Sequence, residues 1–387
     1  VRFDRAALRE VVAIHDDQGV LSFYVTADPR EEAAVRPAWR IRFGNQLTEL
    51  REQVMADEDR ARRTAVLKRL EGLDQDLGLL LNPTESGLGR VLYAPIGSDE
   101  VWTFSFQLPV ADQIVLESTA YVRPLVNTVE TAPPAGIALV SRDGLRMIDY
   151  RYGMAEDADR TYFDVSAEDW RQMRGPAASE LARQGAAHRD RFERRVEDNL
   201  TRLLRATVPD IAEQAESRGW TTVVLIGDVQ LTEVVAAELN GDIIQIDAVV
   251  DSLPPAKIAE YAEPQLLAAR TRRGVELAER VKDAALSGGR GSLGLEETLT
   301  GLNESRVAQL LLAESREWSG SRTAGGWLCP PGQVPQGETA QSLVQESRMG
   351  ERMIERALDI DAEVIVLDQN ASEALADFDG VAAVLRW

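Results

Sequence analysis

Short apolar runs alternate with helix-period stretches through the last two thirds of this chain, and that alternation restricts its fold more than any other feature. Thr221–Ile226 is apolar and β-branched, as a fully buried strand requires, and Gly227 and Asp228 break it. Gln230–Leu239 then has a helical period, and a second strand-like run follows at Ile243–Val249. The same rhythm closes the chain: Ala362–Asp368 reads as a strand, Ser372–Phe378 as a short helix and Gly380–Trp387 as a last strand. Strands separated by helices place helices on the faces of a sheet, so the expected fold class is α/β.

At 387 residues, two or three domains are expected. Proline-marked breaks divide the sequence into residues 1–123, 124–255 and 256–387. In the first segment Leu21–Thr26 is a predicted strand, Pro37–Leu81 is strongly helical, and three short strands follow near Gly89–Ala94, Val101–Leu108 and Gln113–Glu117. The second opens with a hairpin, since Asp143 and Gly144 separate the runs Gly136–Ser141 and Leu145–Arg151. The polar stretch Gly153–Ala187 reads as a long loop, with room for a short helix at Ala167–Arg174. Ile211–Arg218 is helical and ends at Gly219, a residue suited to a left-handed cap. In the third segment a helix runs through Val281 and Leu286, Ser287–Gly291 is a flexible connection between domains, and Leu295–Leu302 follows. Arg306–Glu314 fits helix or strand. Thr323–Gln341 reads as a loop and Ala340–Leu358 as a helix.

Composition excludes several functions. No apolar run is long enough to span a membrane, and Val1–Arg9 carries charges without an apolar stretch, so neither a membrane partner nor a secretory signal is expected. The single cysteine, Cys329, excludes an internal disulfide and fits a reducing cytoplasm. With only His15 and His188, a histidine triad or multi-histidine metal site is excluded. The net charge of -21 opposes indiscriminate binding to nucleic acid while leaving room for a local basic surface. Lysine is nearly absent: of 43 basic residues only Lys68, Lys257 and Lys282 are lysine. Arginine suits bidentate phosphate contacts, although high-GC codon usage gives the same bias.

Gly185–Arg205 concentrates this arginine. It holds six arginines against four acidic residues, in a chain that is otherwise heavily acidic. Phe192, Val196, Leu200, Leu203 and Leu204 form one apolar stripe that must be buried. Asp190 with Arg194, Arg194 with Asp198, and Asp198 with Arg202 are four apart, a spacing worth about 0.2–0.5 kcal/mol per pair on a solvated helix. The candidate RNA-binding residues are Arg183, Arg189, Arg191, Arg194 and Arg195, whose contacts would go to phosphates and carry no sequence information.

This segment resembles the long helix after the Gly-Gly-Gln loop of archaeo-eukaryotic release factors and Pelota. With Arg191 and Phe192 placed on the Arg-Phe pair that follows that loop, the triplet falls on Gly185, Ala186 and Ala187. Three further segments resemble the family's C-terminal domain: Leu295–Val307, Ala362–Leu367 and Gly380–Trp387. The resemblance covers about two thirds of the chain and points to the bacterial branch, whose members carry a divergent first domain. It implies a three-domain α/β protein. The middle domain would be a mixed sheet with a long helix, and the C-terminal domain an α/β/α sandwich.

The family's known chemistry is hydrolysis of the peptidyl-tRNA ester, in which the glutamine orients a water and backbone donors stabilise the oxyanion. Alanine at position 187 has no donor or acceptor for that work. The resemblance therefore implies a ribosome-binding, non-hydrolytic translation factor with no catalytic residue. Its partners would be ribosomal RNA in the A site of stalled or hibernating ribosomes, with transfer RNA and a delivering translational GTPase as further candidates. An altered-loop rescue hydrolase and an acidic protein-binding scaffold are the alternatives. Cys329-Pro330-Pro331-Gly332 stands where some bacterial members carry a zinc knuckle, but the second cysteine is missing, so neither metal nor cofactor is expected.

Overall fold

The computed structural model describes residues 5–28, 37–163 and 197–387. By packing, the chain forms two compact units, one of Val1–Thr131 with Ala269–Trp387 and the other of Ala132–Ala268. The sequence reading separates the two outer segments into domains 1–123 and 256–387. The structure joins them through buried polar contacts that a linear pattern does not display.

The N-terminal part of the first unit runs α1 (Arg5–Val12), β1 (His15–Thr26), α2 (Ala38–Met55), α3 (Arg60–Gly72), α4 (Asp74–Leu80), β2 (Gly89–Pro95), β3 (Trp102–Phe106), β4 (Gln113–Thr119) and α5 (Arg123–Thr131). Its sheet has the order β3-β2-β1-β4, with every pairing antiparallel. Leu21, Phe23 and Val25 of β1 point to one face, where Trp39, Phe43, Leu70 and Leu73 cover them. This strand is buried on both faces. On the opposite face Tyr24 bonds the Tyr93 hydroxyl and donates to the Tyr121 carbonyl, each at 2.5 Å.

The second unit is one mixed sheet, ordered β7-β6-β5-β8-β9. It is built from β5 (Ala135–Val140), β6 (Gly144–Arg151), β7 (Met154–Tyr162), α6 (Val208–Arg218), β8 (Thr222–Gly227), α7 (Val229–Ala236) and β9 (Ile243–Ile246). β5, β6 and β7 are antiparallel neighbours, whereas β8 and β9 run parallel to β5. The third strand corrects the expected loop, since residues 154–162 pair with β6 from Arg151↔Met154 to Gly144↔Tyr162. Being an edge strand that is half covered, it tolerates Glu156, Asp157, Asp159 and Arg160 and shows no apolar alternation. β9 stops at Ile246, short of the expected Val249, which is exposed. Gly219 caps α6 in the left-handed conformation, as its sequence suggests.

α8 (Pro255–Leu286) leads into the C-terminal part of the first unit. There β10 (Gly291–Leu293), β11 (Val307–Ala313), β15 (Glu363–Leu367) and β16 (Val381–Leu385) make a sheet ordered β10-β16-β11-β15. β11 and β15 are parallel, and β16 runs antiparallel to both β10 and β11. Leu277, Ala278 and Val281 of α8 cover one face, with Ala371 and Leu375 of α11 (Gln369–Ser372) and the 3-10 turn Glu373–Phe378. α9 (Gly294–Asn303) and α10 (Met349–Asp359) pack with the strands, giving an α/β/α sandwich. A small sheet, β13-β12-β14, is added by β12 (Gly320–Arg322), β13 (Leu328–Cys329) and β14 (Val344–Glu346).

Two further expectations change here. Residues 287–291 are not a connection between domains. Gly289 N donates to Ala284 O at 2.7 Å and Gly291 already lies in β10, so the segment is a tight turn inside one unit. The helix expected over Ala340–Leu358 begins only at Met349, because Val344–Glu346 pairs with β12 instead.

Candidate functional site

The site suggested by sequence lies between two fixed ends of the second unit. One is β7, which ends at Tyr162, with Phe163 N donating to Asp143 O at 2.8 Å. The other is the helical stretch 197–206, which buries Leu200 and Leu204 against Ala138, Met147 and Leu225 of the sheet, with Leu203 half-buried. Leu200 and Leu204 of the apolar stripe thus dock this stretch, and its described arginines face outward. Arg202 donates to Asn199 Oδ1 at 2.6 Å and Arg205 pairs with Glu238 at 3.4 Å. Gly185, Ala186, Ala187, Arg183, Arg189, Arg191, Arg194 and Arg195 all lie outside the described residues.

At the other end of the same sheet, where β7 starts, lies a buried ionic cluster. Asp149 of β6 accepts Arg151 Nε and Nη2 at 2.8 and 2.7 Å and the Trp220 indole N–H at 2.6 Å, with Arg218 Nη1 at 3.8 Å. Burial pushes the Asp149 carboxyl up, but hydrogen bonds from Arg151 and Trp220 and the charges of Arg151 and Arg218 together hold it below the ordinary carboxylate range. Arg151 Nη2 also reaches Arg218 O at 3.0 Å, satisfying a carbonyl at the end of α6. Trp220 in turn lies on Gly136, where an added Cβ would fall 2.1 Å from its ring. This ionised, fully engaged carboxylate has no capacity left to act as a base. It is a fastener between β6, α6 and β8.

A second cross-strand pair steadies β7. Arg146 grips Asp157 at 2.6 and 3.1 Å, and its Nη1 reaches Asp251 O and Leu253 O at 3.1 and 2.8 Å. The Arg146 hydrogen bond and charge hold the Asp157 carboxyl low against a smaller opposing effect of burial. Arg160 stacks on Tyr162, with its guanidinium 5.4 Å from the ring centre.

Sequence reasoning passed over a polar cleft of about 270 Å3 in the first unit, whose lining includes Arg322, Trp327, Arg352 and Arg356. Only the pair of glycines before Trp327 hinted at it. Cys329 proves to be a buried thiol in β13, its Sγ 3.7 Å from Trp327 O, and burial pushes its pKa up. Among the described residues no group of three or more candidate ligands gathers around it or elsewhere, so the residues present do not fit a zinc knuckle.

The second unit is thus a mixed sheet with the helical stretch 197–206 docked on it. Residues 133–254 match the model of bacterial archaeo-eukaryotic release factor family 5, a span that nearly coincides with the second unit. Through this segment the chain is a homologue of the bacterial release factors of that superfamily. It is also similar to the uncharacterized protein YocB of Bacillus subtilis (strain 168), with 21% identity over 232 residues, covering 60% of this chain and 86% of YocB. Among solved structures it is similar to Dom34 of S. cerevisiae, a translation termination-like factor, with 8% identity and a TM-score of 0.42 over 74% of this chain and 73% of Dom34. A ribosome-bound archaeal Pelota is 12% identical, with a TM-score of 0.40 over 77% of each chain. No helix among the described residues is long and apolar enough to cross a membrane.

Proposed function

We propose that this chain is a cytosolic translation factor that binds the A site of stalled or idle ribosomes and does not hydrolyse peptidyl-tRNA. The observation that supports the reading is the family match over residues 133–254, within which the Arg191-Phe192 resemblance would set Gly185, Ala186 and Ala187 on the family's catalytic triplet. Hydrolysis at that triplet depends on a side-chain amide that orients water. A methyl group at Ala187 supplies neither donor nor acceptor. What the segment retains is binding chemistry: Arg183, Arg189, Arg191, Arg194 and Arg195 would contact RNA phosphates and fix orientation without reading sequence.

Sedimentation of ribosomes from starved cells tests this. The chain is expected in the ribosomal fractions at low salt and to leave them as salt rises, because phosphate contacts release counterions. Its absence from those fractions at low salt would rule the proposal out. The net charge of -21 favours a second reading, a protein-binding scaffold without RNA contact. Ribosome association that survives joint replacement of Arg189, Arg191 and Arg195 would support the scaffold.

A further inference from the structure

The cleft of about 270 Å3 in the first unit joins the end of β4, the α10 surface and the β12–β13 hairpin. Its walls are fixed. In the hairpin Thr323 N donates to Trp327 O at 3.0 Å, and Trp327 N donates back to Thr323 Oγ1 at 3.1 Å. Asn303 clamps the next residue from both sides, donating Nδ2 to Leu328 O at 2.8 Å and accepting Leu328 N at 2.9 Å. Trp327 is thereby held beside the cleft with its side chain 46% exposed, in a position where most tryptophans bury their rings.

Three guanidinium groups also line the cleft, in different states of engagement. Arg352, only 6% exposed, pairs with Glu117 and Glu355 at 2.7 Å each and donates to Thr119 Oγ1 at 3.0 Å. Its Nε is buried without a hydrogen bond, the nearest carboxylate oxygen being Glu346 Oε2 at 3.7 Å. Arg322 uses Nε on Glu346 and, among the described residues, its Nη atoms make no ion pair. Among the described residues Arg356 pairs with no carboxylate. Its partners are Leu302 O, Asn303 O and Ser305 Oγ at 3.3–3.4 Å. Arg352 is shared among Glu117, Glu346 and Glu355, so Glu355 and the exposed Asp359 both stand as opposing charges at the cleft.

We propose that this cleft binds a nucleotide, with the base stacked on Trp327 and the phosphate held by Arg356 and Arg322. A fixed aromatic face offers stacking that is tolerant of base identity, and guanidinium forks match phosphate oxygens bidentately. A volume near the lower end for small-molecule pockets admits one nucleotide unit. The nucleotide is either a free monophosphate or a terminal unit of single-stranded RNA.

Isothermal titration calorimetry on the full, ribosome-free chain tests this with AMP, hexaadenylate RNA, inorganic phosphate and phenyl phosphate as probes. The expected result is saturable AMP or RNA binding that weakens about tenfold or more in Trp327→Ala, the size of one lost stacking contact. Arg356→Gln is expected to weaken both probes as well, with thermal melts confirming that each variant is folded. Tighter AMP than RNA assigns the free nucleotide, and the reverse order assigns an RNA end. No binding of either up to about 10 mM, binding unchanged in both variants, or phenyl phosphate binding more tightly than AMP would overturn the assignment. Because no ribosome is present, the outcome is separate from that of the ribosome-binding proposal.

Discussion

Glu351 of α10 accepts the backbone N–H of Arg123, at the first residue of α5, at 3.0 Å, across 228 positions of sequence. Its other oxygen accepts Val122 N at 2.5 Å, so one carboxyl group satisfies two donors at a helix N-terminus. The Arg123 side chain continues the junction, pairing with Glu317 at 2.5 Å, donating to Arg316 O and stacking over Trp318. These contacts join the outer segments of the chain into one unit. Replacing Glu351 with alanine is expected to destabilise that unit by about 3–5 kcal/mol, the cost of leaving buried polar partners uncompensated. Urea unfolding measures it, and a loss under about 1 kcal/mol would show that the junction is held by packing alone.

The same carboxyl sets a pH dependence. Burial, followed by the charge of Glu355, pushes its pKa up to about 8. A carboxyl whose folded pKa is raised keeps its proton in the folded state while the unfolded chain has lost it. Stability should therefore fall as pH rises from the ordinary glutamate range to about 8 and level off above that. Glu351→Gln should remove this slope, and unfolding free energies measured across that window in both proteins provide the check.

In the second unit Asp149 behaves with the opposite sign. Its depressed folded pKa means that its contribution is present above the unfolded value and is lost as pH falls through the folded one. Asp149→Ala strands Arg151 and the Trp220 N–H, and should cost about 3–5 kcal/mol at neutral pH. Chemical denaturation followed by Trp220 fluorescence, in a background with the other tryptophans replaced, would report it.

Gly136 and Trp220 offer a packing test. Gly136→Ala places a methyl 2.1 Å from the indole ring and should destabilise by about 1–3 kcal/mol through overpacking. Adding Trp220→Leu to that variant should recover part of the loss. A double-mutant cycle showing simple additivity would mean that the two do not compete for this space.

The apolar grammar of the fold was legible in sequence. Thr222–Gly227, Glu363–Leu367 and Val381–Leu385 are buried strands whose β-branched runs announce them, and the Asp143-Gly144 turn announces its hairpin. β7 was hidden because an edge strand needs only half a buried face, which Met154–Tyr162 provides without apolar alternation. Glu351 and Arg352 were hidden for another reason. Within α10 they read as a solvated face, and only the arrival of Val122, Glu117 and Thr119 from far along the chain makes them interior. Within the Gly185–Arg205 segment the helical reading holds over residues 197–206, where Leu200 and Leu204 dock as their spacing requires. The loop and its arginines lie outside the described residues, so the case for RNA contact still rests on their chemistry and on the family match.

The central claim separates binding from hydrolysis, and one assay reads both. Ribosomes carrying a labelled peptidyl-tRNA and a vacant A site are mixed with the chain, pelleted through sucrose and assayed for bound protein and released peptide. The account predicts that the chain pellets with the ribosomes at low salt while peptide release stays at the spontaneous rate. Peptide release above that rate and dependent on the bound chain would contradict it.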